Sequence, residues 1–135
     1  MKFQLLTASS LLVFVSVVML TPTFAHQPYE IIDTNNDFQL VKIEIPMNIP
    51  SDNFLPWGAV SGTIKDHADG YPVIIQIYKN DDPVHFAQTD VNTDGSYEYK
   101  FRIKSVDGDR VINLFEGDYD VKIFQTIKTN SKSFI

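Results

Sequence analysis

The chain has 135 residues, 44% of them hydrophobic and none of them cysteine, with 11 basic against 17 acidic side chains and a formal net charge of −6. That length specifies one compact domain, and the acidic balance argues against nucleic acid and anionic membrane as partners. Without cysteine the fold cannot rest on disulfides.

The N-terminus reads as a leader. Met1-Lys2 precedes a mostly apolar stretch from Leu5 to Leu20, which Thr21-Pro22 ends. Thr23-Phe24-Ala25 then offers small residues at the −3 and −1 positions of a signal peptidase site, so residues 1–25 are expected to be a signal peptide cleaved before His26. The apolar stretch, about 16 residues, is shorter than the roughly 20 a spanning helix needs, and no membrane insertion is expected after cleavage. Loss of Lys2 makes the exported chain more acidic by one unit. An exported domain that uses no cysteine suits a bacterial or archaeal surface better than an animal secretion.

Residues 26–56 form an N-terminal strand and a proline-rich connector: Phe38 to Ile45 is strand-like, and Pro46, Pro50 and Pro56 are expected to break what surrounds them. From Trp57 the pattern becomes regular. Val60 to Lys65 is a short strand and Asp66 to Gly70 a turn. Pro72 to Lys79 is a strand with Val73, Ile75 and Ile77 on one face, and Asn80-Asp81-Asp82-Pro83 turns the chain. Val84 to Val91 is the next strand. After Asn92-Thr93-Asp94-Gly95, Tyr97 to Lys104 alternates cleanly, Tyr97, Tyr99, Phe101 and Ile103 facing inward and Glu98, Lys100, Arg102 and Lys104 outward. Ser105 to Arg110 is a loop, Val111 to Phe115 a short apolar strand, and Tyr119 to Ile127 the last strand, before a polar tail over 128–135. No stretch after the leader has a sustained helical period. Short strands at roughly ten-residue spacing without helices predict an all-β antiparallel sandwich over residues 57–127.

These residues resemble a family. Val60-Ser61-Gly62-Thr63-Ile64-Lys65-Asp66, then Gly70 and Pro72, then Thr89-Asp90 and Asp94-Gly95-Ser96-Tyr97, and finally Gly117-Asp118-Tyr119-Asp120-Val121 are similar to the carboxypeptidase regulatory-like, or prealbumin-like, β-sandwich. The Val-Ser-Gly-Thr pattern also resembles secreted surface modules of ammonia-oxidising archaea. The resemblance implies an Ig-like or prealbumin-like sandwich of about seven strands, with a tyrosine after Gly117 that bonds nearby backbone. It implies a non-catalytic accessory, adhesive or cell-envelope role. A related family hydrolyses 5-hydroxyisourate and closes on Tyr-Arg-Gly-Ser, whereas this chain closes on Ser131-Lys132-Ser133-Phe134-Ile135 and has Ala59 where that family places a histidine.

Four groups of residues are candidates for function. Asp90, Asn92 and Asp94 with Gly95 match the first half of a calcium loop, but its twelfth position is Phe101; Asp33, Asn35, Asp37 and Glu44 keep the terminal carboxylate but have Phe38 where glycine should turn. A hairpin turn is the simpler reading of the first. His26, at the new N-terminus, would offer an α-amine and an imidazole to copper, with His67 or His85 as the further ligand. Trp57, the one tryptophan, either plugs an end of the core or presents a flat ring to a ligand. Ser61 sits one place too late for a nucleophile elbow, and the acidic pairs Asp81-Asp82 and Asp107/Asp109 fall in hydrophilic turns, so no enzyme is expected. The sequence thus predicts a secreted, non-catalytic surface module whose partner is a cell-surface protein, a glycan or a second copy paired by strands. An extracytoplasmic metal-binding protein is the alternative.

Overall fold

The computed structural model describes residues 29–129. Among the described residues there are nine strands and no helix: β1 (Tyr29–Thr34), β2 (Phe38–Ile49), β3 (Trp57–Thr63), β4 (Val73–Lys79), β5 (Asp82–Thr89), β6 (Ser96–Arg102), β7 (Lys104–Asp107), β8 (Arg110–Asn113) and β9 (Gly117–Lys128). The fold is all-β, and every paired strand is antiparallel. A five-stranded sheet runs β1-β2-β9-β4-β5; β3 and β6 form a second sheet, and β7 and β8 an isolated hairpin.

β9 organises the large sheet. It pairs with β2 along all of its length, from Gly117↔Ile49 to Lys128↔Phe38, and with β4 from Asp120↔Tyr78 to Phe124↔Ile74. This register aligns Val121 with Ile45 and Ile77, and Ile123 with Ile43 and Ile75, on one face. There Ile75, Ile77 and Val73 have no exposed surface and Ile123 has 1%. Their partners above are Val60 of β3 and Tyr97, Phe101 and Ile103 on or just after β6, all buried in the same cluster. The one buried polar side chain described, Gln125, is satisfied by its Nε2 donating to the Tyr97 hydroxyl at 3.1 Å.

Pro46 lies inside β2 instead of ending it. Among the described residues β1 pairs with β2 only as far as Tyr29↔Ile43, so Pro46 stands where β9 is the one described partner of β2, the edge situation that tolerates a residue without N–H. The inward alternation of Tyr97, Tyr99, Phe101 and Ile103 is as expected. The strand ends at Arg102, however: Ile103 still donates its N–H to the Pro56 carbonyl, but its own carbonyl accepts from Leu114 and Phe115, and Lys104 turns its N–H back to Pro56. Residues 105–110, expected as a loop, instead supply most of the β7–β8 hairpin, turned at Gly108 (φ 65°). The β4–β5 hairpin closes on Asn80 (φ 52°) and Asp81 (φ 68°), both left-handed as a two-residue turn requires.

In the small sheet two glycines are required by packing. Gly58 stands opposite Phe101 and Gly62 opposite Tyr97. A Cβ on Gly58 would come within 2.8 Å of the Phe101 ring, and one on Gly62 within 2.6 Å of the Tyr97 hydroxyl. The aromatic rings thus lie over the bare backbone of β3, which places Gly58, Val60 and Gly62 inward and Trp57, Ala59, Ser61 and Thr63 outward. Gly62→Ala is expected to destabilise the fold by about 1–3 kcal/mol, because the new methyl displaces Tyr97 from Gln125. Ser61→Ala on the opposite face should stay within about 0.5 kcal/mol. Urea unfolding of the two variants beside the parent checks the contrast.

Candidate functional site

The acidic turn between β5 and β6 uses its own oxygens. Asp94 accepts from the Ser96 N–H at 3.0 Å and from the Ser96 hydroxyl at 2.6 Å, while Asn92 donates to the Ser96 hydroxyl oxygen at 3.0 Å. The Asn92 and Gly95 backbones close the turn, and Gly95 is in the left-handed region (φ 89°) against the Ile64 carbonyl. The Ser96 hydrogen bonds hold the Asp94 carboxyl below its ordinary range. The second candidate behaves alike: Asn35 accepts from the Asp37 and Phe38 N–H groups, each at 2.8 Å, and Glu44 pairs with Lys122 at 3.7 Å. Among the described residues no group of three or more histidine and acidic side chains could hold a metal ion. His26 lies outside the described residues.

The two described histidines are apart in role. His67, on the turn after β3, bridges to Ile127 in backbone pairing and approaches Asp69 at 3.3 Å. His85, on the inner face of β5, has its Nε2 2.7 Å from the Tyr99 hydroxyl and packs edge-on against Phe115. Phe115 in turn meets Tyr119, whose hydroxyl accepts from the Glu116 N–H at 2.6 Å and donates to the Glu116 carbonyl at 3.1 Å. This is the tyrosine-to-backbone bond expected after Gly117.

Trp57 does not plug the core. It is 50% exposed, at the start of β3, with the Arg102 guanidinium over its ring at 4.3 Å. Phe54 (83% exposed) and Leu55 lead into it. The same end of the molecule carries the β7–β8 hairpin, with Val106 opposite Val111, both exposed. At the hairpin base Lys104 Nζ donates to Asn113, and Asn113 donates to Glu116. This apolar end was not legible in the sequence, where Val111 to Phe115 looks like a core strand; of that run only Phe115 is buried. Phe124 is half-buried on the outer face of the large sheet, in register with Lys42 and Ile74.

Compared with models of known families, with curated proteins and with solved structures, the chain matches none.

Burial lowers the affinity of His85 for a proton. The unfolded chain therefore binds that proton first, and the contribution of neutral His85 is present above a pH of about 6.5 and is lost as pH falls toward the depressed folded value. The melting temperature is expected to drop as pH falls below about 6.5. His85→Gln, which can still bond the Tyr99 hydroxyl but does not titrate, should show a shallower drop; equal slopes in the two proteins would remove His85 as the cause.

Proposed function

We propose that this chain is an exported, non-catalytic β-sandwich module of the prealbumin-like kind, working at the cell surface by binding or by structural assembly. What supports the reading is where its apolar side chains lie. Phe54, Phe86 and Val106 are each about two-thirds exposed or more, far beyond what packing this core requires, and they stand on strands and turns of an otherwise well-satisfied sandwich. The polar groups that invite chemical readings have structural employment instead. Asp94 fixes one turn, Asn35 fixes another, and Ser61 lies on the outer face of β3. Tyr119 bonded to the Glu116 backbone and Gly62 lying under Tyr97 give physical roles to two motifs of the resemblance.

Export and envelope association are tested together by producing the full chain with its own leader in a bacterial host. The expected product is extracytoplasmic, begins with His26 and is retained by envelope preparations. A full-length cytoplasmic product would overturn export, and a correctly processed product that envelope fails to retain would overturn surface association.

A further inference from the structure

Among the described residues the sandwich is lopsided: five strands stand on one side and two on the other. Contacts between β5 and β6, including the Thr89 hydroxyl bonded to the Glu98 carbonyl, place β6 above β5. β3 is therefore next inward, and the place beyond β3 lies above β2 and β1. No strand fills it among the described residues. Between the buried Val41 and Ile49, the inward side chains there are Ile43, Ile45 and Met47, each half-buried, and alongside on β1 are Tyr29 and Ile31, 60% and 49% exposed.

The edge of β3 that faces this place is free among the described residues. The Ile64 N–H bonds the Gly95 carbonyl and the Ile103 N–H bonds the Pro56 carbonyl, in the same register as the β3–β6 pairs. Antiparallel alternation then commits the even-numbered residues of β3 to β6 and turns the N–H and C=O groups of Trp57, Ala59, Ser61 and Thr63 outward. Other edges are guarded. β1 has a bulge at Ile32 with Glu30 and Asp33 beside it, and β5 begins Asp82-Pro83. β3 reads Trp-Gly-Ala-Val-Ser-Gly-Thr, with neither charge nor proline.

We infer that β3 is an acceptor for one extended segment of a partner protein, which adds as a third strand to the small sheet and covers the inner face of β1 and β2. This deepens, and rests on, the reading of the chain as a binding module. A second copy does not fit this place. A continuous sheet keeps both inner faces on one side, so a copy joined at β3 would drive its own large sheet into β2 and β1. A lone strand fits. Its inward residues are apolar at alternate positions, to lie on Ile43, Ile45 and Tyr29. Its ends are basic, because the turns flanking β3 carry exposed Asp52, Asp66 and Asp69 against Lys65, while Arg102 at the Trp57 end is engaged on the Trp57 ring, in a chain of net charge −6.

The probe is a synthetic peptide, Lys-Thr-Val-Thr-Val-Thr-Val-Thr-Lys, added to the exported protein while amide hydrogen exchange is followed by NMR. The expected result is slowing of the Ala59, Ser61 and Thr63 amides by about tenfold or more. Ser61→Pro, which removes a central edge donor, should abolish the slowing. Ala59→Lys, which leaves the β3–β6 ladder intact, should weaken binding by about tenfold and carries the test should the proline variant fail to fold. A peptide with Glu in place of both Lys should bind several-fold more weakly. Absence of slowing, slowing confined to β1, or slowing that rises with protein concentration without peptide would each overturn the assignment to β3. Envelope retention in the preceding experiment is independent of this outcome, so an unoccupied β3 edge would leave the binding-module reading standing.

Discussion

The twelve-residue ladder between β2 and β9 is the constraint on which the rest of the structure depends. It joins residues 38–49 to residues 117–128, so the large sheet has its centre only after the two ends of the described chain have met. With Ile43, Ile45, Val121 and Ile123 in one register, the inner face becomes a continuous apolar floor, and β4 adds Ile75 and Ile77 to it. Such long-range pairing must close a large loop before it gains any packing, which places the entropic cost of folding at this ladder. The charged outer face adds little by comparison. Lys122 sits between Glu44 and the Tyr78 ring, a partly exposed arrangement of the kind that contributes a fraction of a kcal/mol.

The small sheet is held to that floor by size complementarity. β6 supplies the large side chains and β3 the space for them, with Gly58 under Phe101 and Gly62 under Tyr97. The arrangement lets two strands cover the core of a five-stranded sheet, since each ring spans its own strand and its neighbour. Tyr97 extends far enough to satisfy Gln125 on β9. It also sets a limit, because β3, with Gly58 and Gly62 inward, has only Val60 to place against the large sheet.

Much of this was legible in the sequence, because a period of two reports which face a residue occupies. The inward sets Val73, Ile75, Ile77 and Tyr97, Tyr99, Phe101, Ile103 follow from it directly, as do the turns at Asn80-Asp81 and Asp94-Gly95. Alternation does not report which strand is the partner. Pro46 therefore looked like a breaker when it lies inside β2, and the clean pattern through Lys104 hid the change at Ile103, whose N–H still bonds Pro56 while its carbonyl accepts from Leu114 and Phe115. The β7–β8 hairpin misleads for a related reason: Val106, Val111 and Ile112 have the composition of core but form a two-stranded ladder on which, among the described residues, all three stay exposed. For the candidate sites, residue types at Asp90, Asn92 and Asp94 were consistent with a cation loop, and only geometry reveals that Ser96 already occupies Asp94. Trp57 was ambiguous because it stands at the first position of a strand, where inward and outward are decided by the neighbouring Gly58–Phe101 pair.

The same pair decides more than the orientation of one ring. Inward glycines at 58 and 62 force Trp57, Ala59, Ser61 and Thr63 to carry the outward side chains, and none of these is charged. A strand that needed only to avoid aggregation would tolerate lysine at any of the four outward positions without disturbing Phe101 or Tyr97, and natural edge strands commonly place charge there. β1 and β5, whose packing demands are looser, do carry charge or proline. Packing therefore explains the glycines of β3 but not its neutrality. The unguarded edge also faces a stretch of the inner face where Ile43, Ile45 and Met47 remain half-covered, and pairing there would satisfy backbone groups and cover that surface in a single step.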